Sequence, residues 1–290
     1  MSVSSLLPSA VPVPPVPSRT GKAGRNVPIA IVVGAGMGAA VLVSLFAYRP
    51  LFVGLVGVAV AYGCYEVATV LRTSAGRNVP LPPLVVGTGV TYTIAYQRGS
   101  QALAVGVLLT AIGLLAWRMV DGGRRVDVAR DVSASLWLLC YVVLLAGFAV
   151  LLAAPDDGAR RATCFVATVV CSDVGGFATG VFFGKHPLAP AVSPKKSWEG
   201  LGGSVLACLA GGGVLLGTLL HLDWWQGLLF GLAVAITATA GDLAESLVKR
   251  DLGVKDMGRL LPGHGGVMDR LDSMLFTAPI AYLLITAFTS

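Results

Sequence analysis

The sequence predicts an all-α, polytopic integral membrane protein of about nine transmembrane helices with a cytoplasmic N-terminus. Three observations lead there. Only 12% of the 290 residues are charged and the mean hydropathy is +0.79, whereas soluble domains carry roughly 25% charged residues. Apolar runs recur along the chain at about 20 residues each, the length a helix needs to cross a bilayer. The runs are continuous rather than alternating, and in lipid only helices and closed barrels satisfy the backbone, so helices are expected.

Residues 1–26 are rich in Pro and Ser, carry Arg19, Lys22 and Arg25, and lack an apolar h-region. They read as a disordered, Pro-rich cytoplasmic tail. The first run, 27–47, is too long for a signal-peptide h-region and is expected to remain as a span. Further runs lie at 51–71, 79–97, 101–118, 132–153, 162–184, 201–220, 224–247 and 270–289. Residues 27–161 thus form five N-terminal helices. Residues 162–290 form a C-terminal catalytic region of four helices with two cytoplasmic loops, Lys185–Gly200 and Val248–Asp269. With the N-terminus inside, 17 of the 21 Lys and Arg residues face the cytoplasm. Only Arg49, Arg98, Arg160 and Arg161 face outward, an asymmetry that fixes orientation.

The formal charge of +6 sits in short loops rather than on one face. It therefore points to topology and phosphate groups, not to nucleic acid. All five cysteines fall inside apolar runs without a CxxC pair, as small buried hydrophobes do, which argues against disulfides and zinc. Glycine pairs such as Gly34/Gly36/Gly38 and Gly211–Gly213 suggest close helix packing rather than phosphate binding. Trp117, Trp224 and Trp225 lie at run ends, where interfacial anchors belong.

Charge concentrates between Asp242 and Asp272. Ionisable residues at membrane depth are costly and mark functional sites by default. On a helix, Asp242, Glu245, Ser246 and Lys249 share one face. Two carboxylates there suit Mg²⁺, which takes one or two protein carboxylates and fills its shell with water and phosphate. An ion pair with Lys249 is the competing reading. A loop then carries Lys249, Arg250, Lys255, Asp256, Arg259 and His264 beside Gly263, Gly265 and Gly266. Glycine backbone N–H groups approach anions closely and the basic side chains neutralise them, although a topogenic loop would be basic too. The loop closes on Asp269, Arg270 and Asp272 at the mouth of the last run.

A second constellation lies upstream. Ser172 and Asp173 stand inside the sixth run, and Ser193, Lys195, Lys196, Trp198 and Glu199 precede the seventh. Asp173 reads either as a hydrogen-bonded structural residue or as a site residue; the lysines read as positive-inside charge or as phosphate contacts. Glu66, in the second run, divides evenly between structural pairing and a site role. Intramembrane aspartates beside two basic, glycine-containing loops suit transfer at a phosphate, with one lipid and one cytoplasmic nucleotide substrate. A transporter would instead spread charge through several spans at mid-depth.

The pattern Ser246, Lys249, Arg250, Lys255, Asp256, Pro262, His264, Gly265, Gly266, Asp269, Arg270, Asp272 resembles the signature of the phosphatidate cytidylyltransferases (CDP-diacylglycerol synthases). Residues 246–272 show no departure from it. The two upstream segments resemble further parts of that family. Val174 stands where Thr is usual, and Ser197, where Thr is common, keeps a hydroxyl. The resemblance covers residues 165–290; the first half is alike only in being hydrophobic and multi-span.

The resemblance implies conversion of CTP and phosphatidate into CDP-diacylglycerol and pyrophosphate. It also implies Mg²⁺, with K⁺ as candidate second metal, a nine-helix fold, a homodimer and a place in the cell membrane. By motif position, Asp242 and Asp269 would be metal ligands, and Asp173, Lys195 and Lys196 would line the nucleotide site. Lys249, Arg250, Lys255 and His264 would serve the polyphosphate, with Asp256 and Arg270 in the same catalytic set. Ser172, Ser193, Trp198, Glu199, Glu245, Ser246, Gly265, Gly266 and Asp272 would contact substrate. An enzyme acting on an isoprenoid glycerolipid phosphate, or a CTP-dependent lipid kinase, shares this charge logic and is separated only by the signature.

Overall fold

The computed structural model describes residues 27–120, 127–258, 260 and 265–289, with side chains from residue 34 onward. Among them the chain forms nine helices, each coinciding with one apolar run. They are α1 (Val27–Ala47), α2 (Arg49–Ala75), α3 (Leu81–Arg98), α4 (Ser100–Val120), α5 (Val128–Ala153), α6 (Gly158–Phe183), α7 (Trp198–Leu219), α8 (Trp224–Asp251) and α9 (Met268–Thr289). Seven are long and apolar enough to cross a membrane. The other two are α1, apolar over Gly34–Ala47, and α3, which is 18 residues long and diluted by Pro, Thr, Tyr and Arg. The expected tail, 1–26, lies outside the described residues.

Two features depart from a plain helical reading. The Lys185–Gly200 loop folds into an antiparallel hairpin, β1 (Pro187–Ala189) and β2 (Ser193–Ser197). Helix α5 contains a π-helical stretch at Leu139–Leu144.

Helices also outrun their apolar stretches. Trp198 and Glu199 open α7, where Ser197 Oγ accepts the Gly200 N–H at 3.0 Å as N-cap. Lys249 and Arg250 stand in the last turn of α8 rather than in a loop, where cations offset the helix dipole.

The helices bury two main apolar cores. One gathers Val60 and Val67 of α2, Leu84 of α3, Leu138 and Val142 of α5 and Leu275 of α9. The other joins Phe165 and Val169 of α6, Cys208 of α7, Phe230 and Val234 of α8 and Ile285 of α9. Close backbone approach ties the second half together. A side-chain carbon at Gly203 would overlap Thr179, and one at Gly212 would meet the backbone of Gly227 and Gly231. That is the packing expected of Gly211–Gly213. Gly34, Gly36 and Gly38, by contrast, face no neighbour within 4 Å, so helix α1 makes no such seam there. The cysteines are free, with Cys140 exposed rather than buried.

Candidate active site

Four stretches of chain converge on one cavity of about 500 Å³, within the usual range for small-molecule sites. Helix α6 contributes Ser172 and Asp173. The hairpin and the start of α7 contribute Lys195, Lys196, Ser197 and Ser204. Helix α8 contributes Thr239, Asp242 and Lys249, and the last loop with α9 contributes Asp256, Asp269, Arg270 and Asp272. The tight α6–α7 seam is what sets Asp173 beside the hairpin. Where α8 meets α9, a side-chain carbon at Gly241 would strike the Asp272 carbonyl.

Ion pairs tie these stretches to one another. Lys196 Nζ lies 2.5 Å from Asp242 Oδ2, joining hairpin to α8. Lys249 Nζ lies 2.9 Å from Asp269 Oδ1 and 3.2 Å from Glu245 Oε2. The pairing of Glu245 with Lys249 offered as an alternative above is therefore present. Glu245 also lies against the Asp272 carboxyl. Both Glu245 oxygens are without a hydrogen-bond partner although the side chain is 0% exposed.

Asp269 is wrapped. Besides Lys249, it accepts the Gly266 N–H at 2.8 Å and the Met257 N–H at 3.2 Å. Asp173, Asp242 and Asp272 lie within electrostatic reach of one another.

The donor set fits a hard cation. The cavity holds five carboxylates against Lys195, Lys196, Lys249 and Arg270, with the unsatisfied carboxylate of Glu245 close behind. Among the described residues no three metal-binding side chains form a ready-made cage. Mg²⁺ needs none, since it keeps water and phosphate oxygens in its shell. Asp242 has one oxygen on Lys196 and the other open. Both Asp269 oxygens are already engaged.

Several expected site residues stand elsewhere. Glu199 closes the base of the hairpin: it accepts the Lys185 and His186 N–H groups at 3.1 and 3.2 Å, and its other oxygen lies 2.6 Å from His186 Nδ1. Trp198 is 59% exposed and does not line the cavity. Arg250 Nε donates to the Val192 carbonyl at 3.3 Å, pinning the hairpin turn. Lys255, Ser193 and Ser246 do not line the cavity. Gly265 (φ +84°) adopts the left-handed backbone that favours glycine, and Gly266 serves Asp269. Val174 is 62% exposed and faces away, so its missing hydroxyl costs the cavity nothing. His264 and Arg259 lie outside the described residues.

One residue had no signal in the sequence. The Tyr141 hydroxyl, on the π-helical stretch of α5, is buried without a partner. It lies within electrostatic reach of Glu245, Asp272 and Asp242. Its ring stacks on Trp137 at 5.0 Å and meets Phe276 edge-on at 6.0 Å. π-Bulges recur at functional sites, but a tyrosine in an apolar run reads as ordinary core.

A family model described as "Cytidylyltransferase family" matches residues 28–288. The chain is 42% identical over 283 residues to a phosphatidate cytidylyltransferase of Mycobacterium leprae (strain TN), covering 92% of this chain and 90% of that one. It is 39% identical over 281 residues to the protein of that name from Mycobacterium tuberculosis (strain ATCC 25618 / H37Rv), covering 93% and 85%. A phosphatidate cytidylyltransferase of Helicobacter pylori (strain J99 / ATCC 700824) is 48% identical over 131 residues, covering 45% and 48%.

Proposed function

The chain belongs to the cytidylyltransferase family and is a nucleotidyltransferase, and from that premise we propose that it converts CTP and phosphatidate into CDP-diacylglycerol and pyrophosphate with Mg²⁺. One observation carries the reading: a single cavity that draws carboxylates and basic side chains from α6, the hairpin, α8 and the start of α9. That inventory suits two phosphate-bearing substrates and a cation. The cavity lies among helices apolar enough to cross a membrane, where a lipid phosphate and a soluble nucleotide can meet.

In this mechanism a phosphatidate phosphate oxygen attacks the α-phosphorus of CTP in line. The new bond joins the lipid phosphate to that phosphorus, and the bond from it to the β-phosphate oxygen breaks, releasing pyrophosphate. The nucleophile is already an anion at neutral pH, so no general base is required. Positioning and electrostatics carry the rate. Lys195 and Lys196 orient phosphate oxygens, with Lys196 held by Asp242. Lys249 and Arg270 face the charge gathering on the leaving group. Bound Mg²⁺ would supply charge neutralisation at the phosphoryl oxygens. Asp242 and Asp269 would hold it, and K⁺ is the candidate for a second site.

The cytoplasmic setting of the cavity rests on the 17 of 21 basic residues that a nine-span, N-terminus-inside topology puts on that side. Residues 162–290 carry the lining side chains, as a catalytic region would. A homodimer in the cell membrane completes the proposal. Purified protein in detergent with phosphatidate should release pyrophosphate from CTP only when both lipid and Mg²⁺ are present. Release of CDP in place of pyrophosphate would make it a kinase instead.

A further inference from the structure

Helix α9 starts at Met268, and the N–H groups of a helix's first turn have no partner inside the helix. The Met268 N–H is satisfied from 202 positions away: Glu66 Oε2 of α2 accepts it at 2.9 Å. Glu66 is 4% exposed, and a carboxylate at a helix N-terminus is favoured by the aligned peptide dipoles.

The same carboxylate lies against both arms of the last loop. A side-chain carbon at Gly258 or at Gly266 would overlap Glu66 oxygens. Glycine at these two positions is what lets the loop settle onto α2. The neighbouring Asp269 then gathers the same backbone from the other side, through the N–H groups of Met257 and Gly266, and holds Lys249. Glu66 and Asp269 thus grip one short segment between them, with Glu66 at its base and Asp269 facing the cavity. Glu66 itself does not line the cavity.

We propose that Glu66 is a positioning residue: it fixes Gly258, Gly266 and Met268 against α2 so that Asp269, Lys249 and Asp272 are presented to the reacting phosphates. This rests on the cytidylyl-transfer reading of the cavity. It gives the N-terminal half of the chain a part in the site, through the Glu66 contact with Met268.

The test uses the full-length purified protein and the variants Glu66→Ala, Glu66→Gln, Gly258→Ala and Glu66→Ala/Gly258→Ala. Two readouts are taken: hydrogen exchange of the peptide containing Met268, and turnover per folded molecule. Glu66→Ala should speed that exchange about 10- to 100-fold, the loss expected for a buried hydrogen bond to a charge. It should lower kcat by up to about 100-fold, as ångström-scale misplacement does, with CTP KM changing far less. Glu66→Gln keeps an acceptor for Met268 and should restore most of both. Gly258→Ala should mimic Glu66→Ala in the native background yet add little to it in the double variant, because the collision has been removed.

Should Glu66→Ala not fold, Gly258→Ala carries the same expectation. Unchanged Met268 exchange, or faster exchange with unaltered kcat, overturns the proposal. Native protein that transfers no cytidylyl group would instead sink the reading of the cavity, a result visible before any variant is made.

Discussion

Lys196 and Asp242, 46 positions apart and on different elements, meet at 2.5 Å in the lining of the cavity. The pair joins the hairpin to α8. In the proposed mechanism it means that the cation ligand is held, at rest, by a residue that would take a phosphate. Substrate and cation together would separate the two, each charge passing to a new partner.

Asp242→Asn should therefore abolish turnover by a factor of about 10² to 10³, the scale of losing a charge-stabilising group. The site is partly exposed, so thermal stability should stay close to that of the native protein. Lys196→Ala should cost a similar factor. Radiochemical turnover set beside a thermal unfolding curve of the same preparation checks both.

Asp269→Asn should behave differently. Its carboxylate holds Lys249 and two backbone N–H groups, and breaking a buried pair costs about 3–5 kcal/mol. Loss of turnover should come with a clear drop in unfolding temperature. Equal stability losses in Asp242→Asn and Asp269→Asn would contradict this difference between the two carboxylates.

Tyr141→Phe removes a buried hydroxyl that has no partner. Relieving an unsatisfied polar group stabilises by about 1–3 kcal/mol, so the variant should unfold at a higher temperature. It should also turn over more slowly if the hydroxyl engages the acid cluster during reaction. Unfolding curves and kcat on the same sample decide both points.

Glu199→Ala should loosen the base of the hairpin rather than touch the chemistry, because the carboxylate is spent on Lys185 and His186. Loss of these exposed hydrogen bonds should raise KM for CTP while leaving kcat near native. A collapse of kcat at saturating CTP would place Glu199 in the reaction itself.

The helices were legible because each apolar run is long and its ends carry charge. The upper end of α8 was less so. It runs past its apolar stretch to Asp251 because Glu245 and Lys249 support one another at i, i+4. The hairpin was missed: Ser193, Pro194, Lys195 and Lys196 lack strand-forming residues, and Pro is tolerated there only because a two-stranded hairpin is all edge.

Asp173, Lys195, Lys196, Asp242, Asp269 and Asp272 could be read as one site because membrane-depth charge is rarely idle. The roles of Asp269 and Glu66 could not, since their partners are backbone N–H groups of Met257, Gly266 and Met268, which no residue pattern reveals. The π-helical register that presents Tyr141 is likewise not marked by the apolar run it lies in.

The most direct measurement of the central claim follows the phosphorus. Protein in phosphatidate-containing vesicles is given Mg²⁺ and CTP labelled at either the α- or the γ-phosphate, and the lipid is extracted. Label in the lipid from the α-position alone, lost in Asp242→Asn and Lys196→Ala, is the predicted result. Label arriving from the γ-position, or undiminished α-label in either variant, would contradict it.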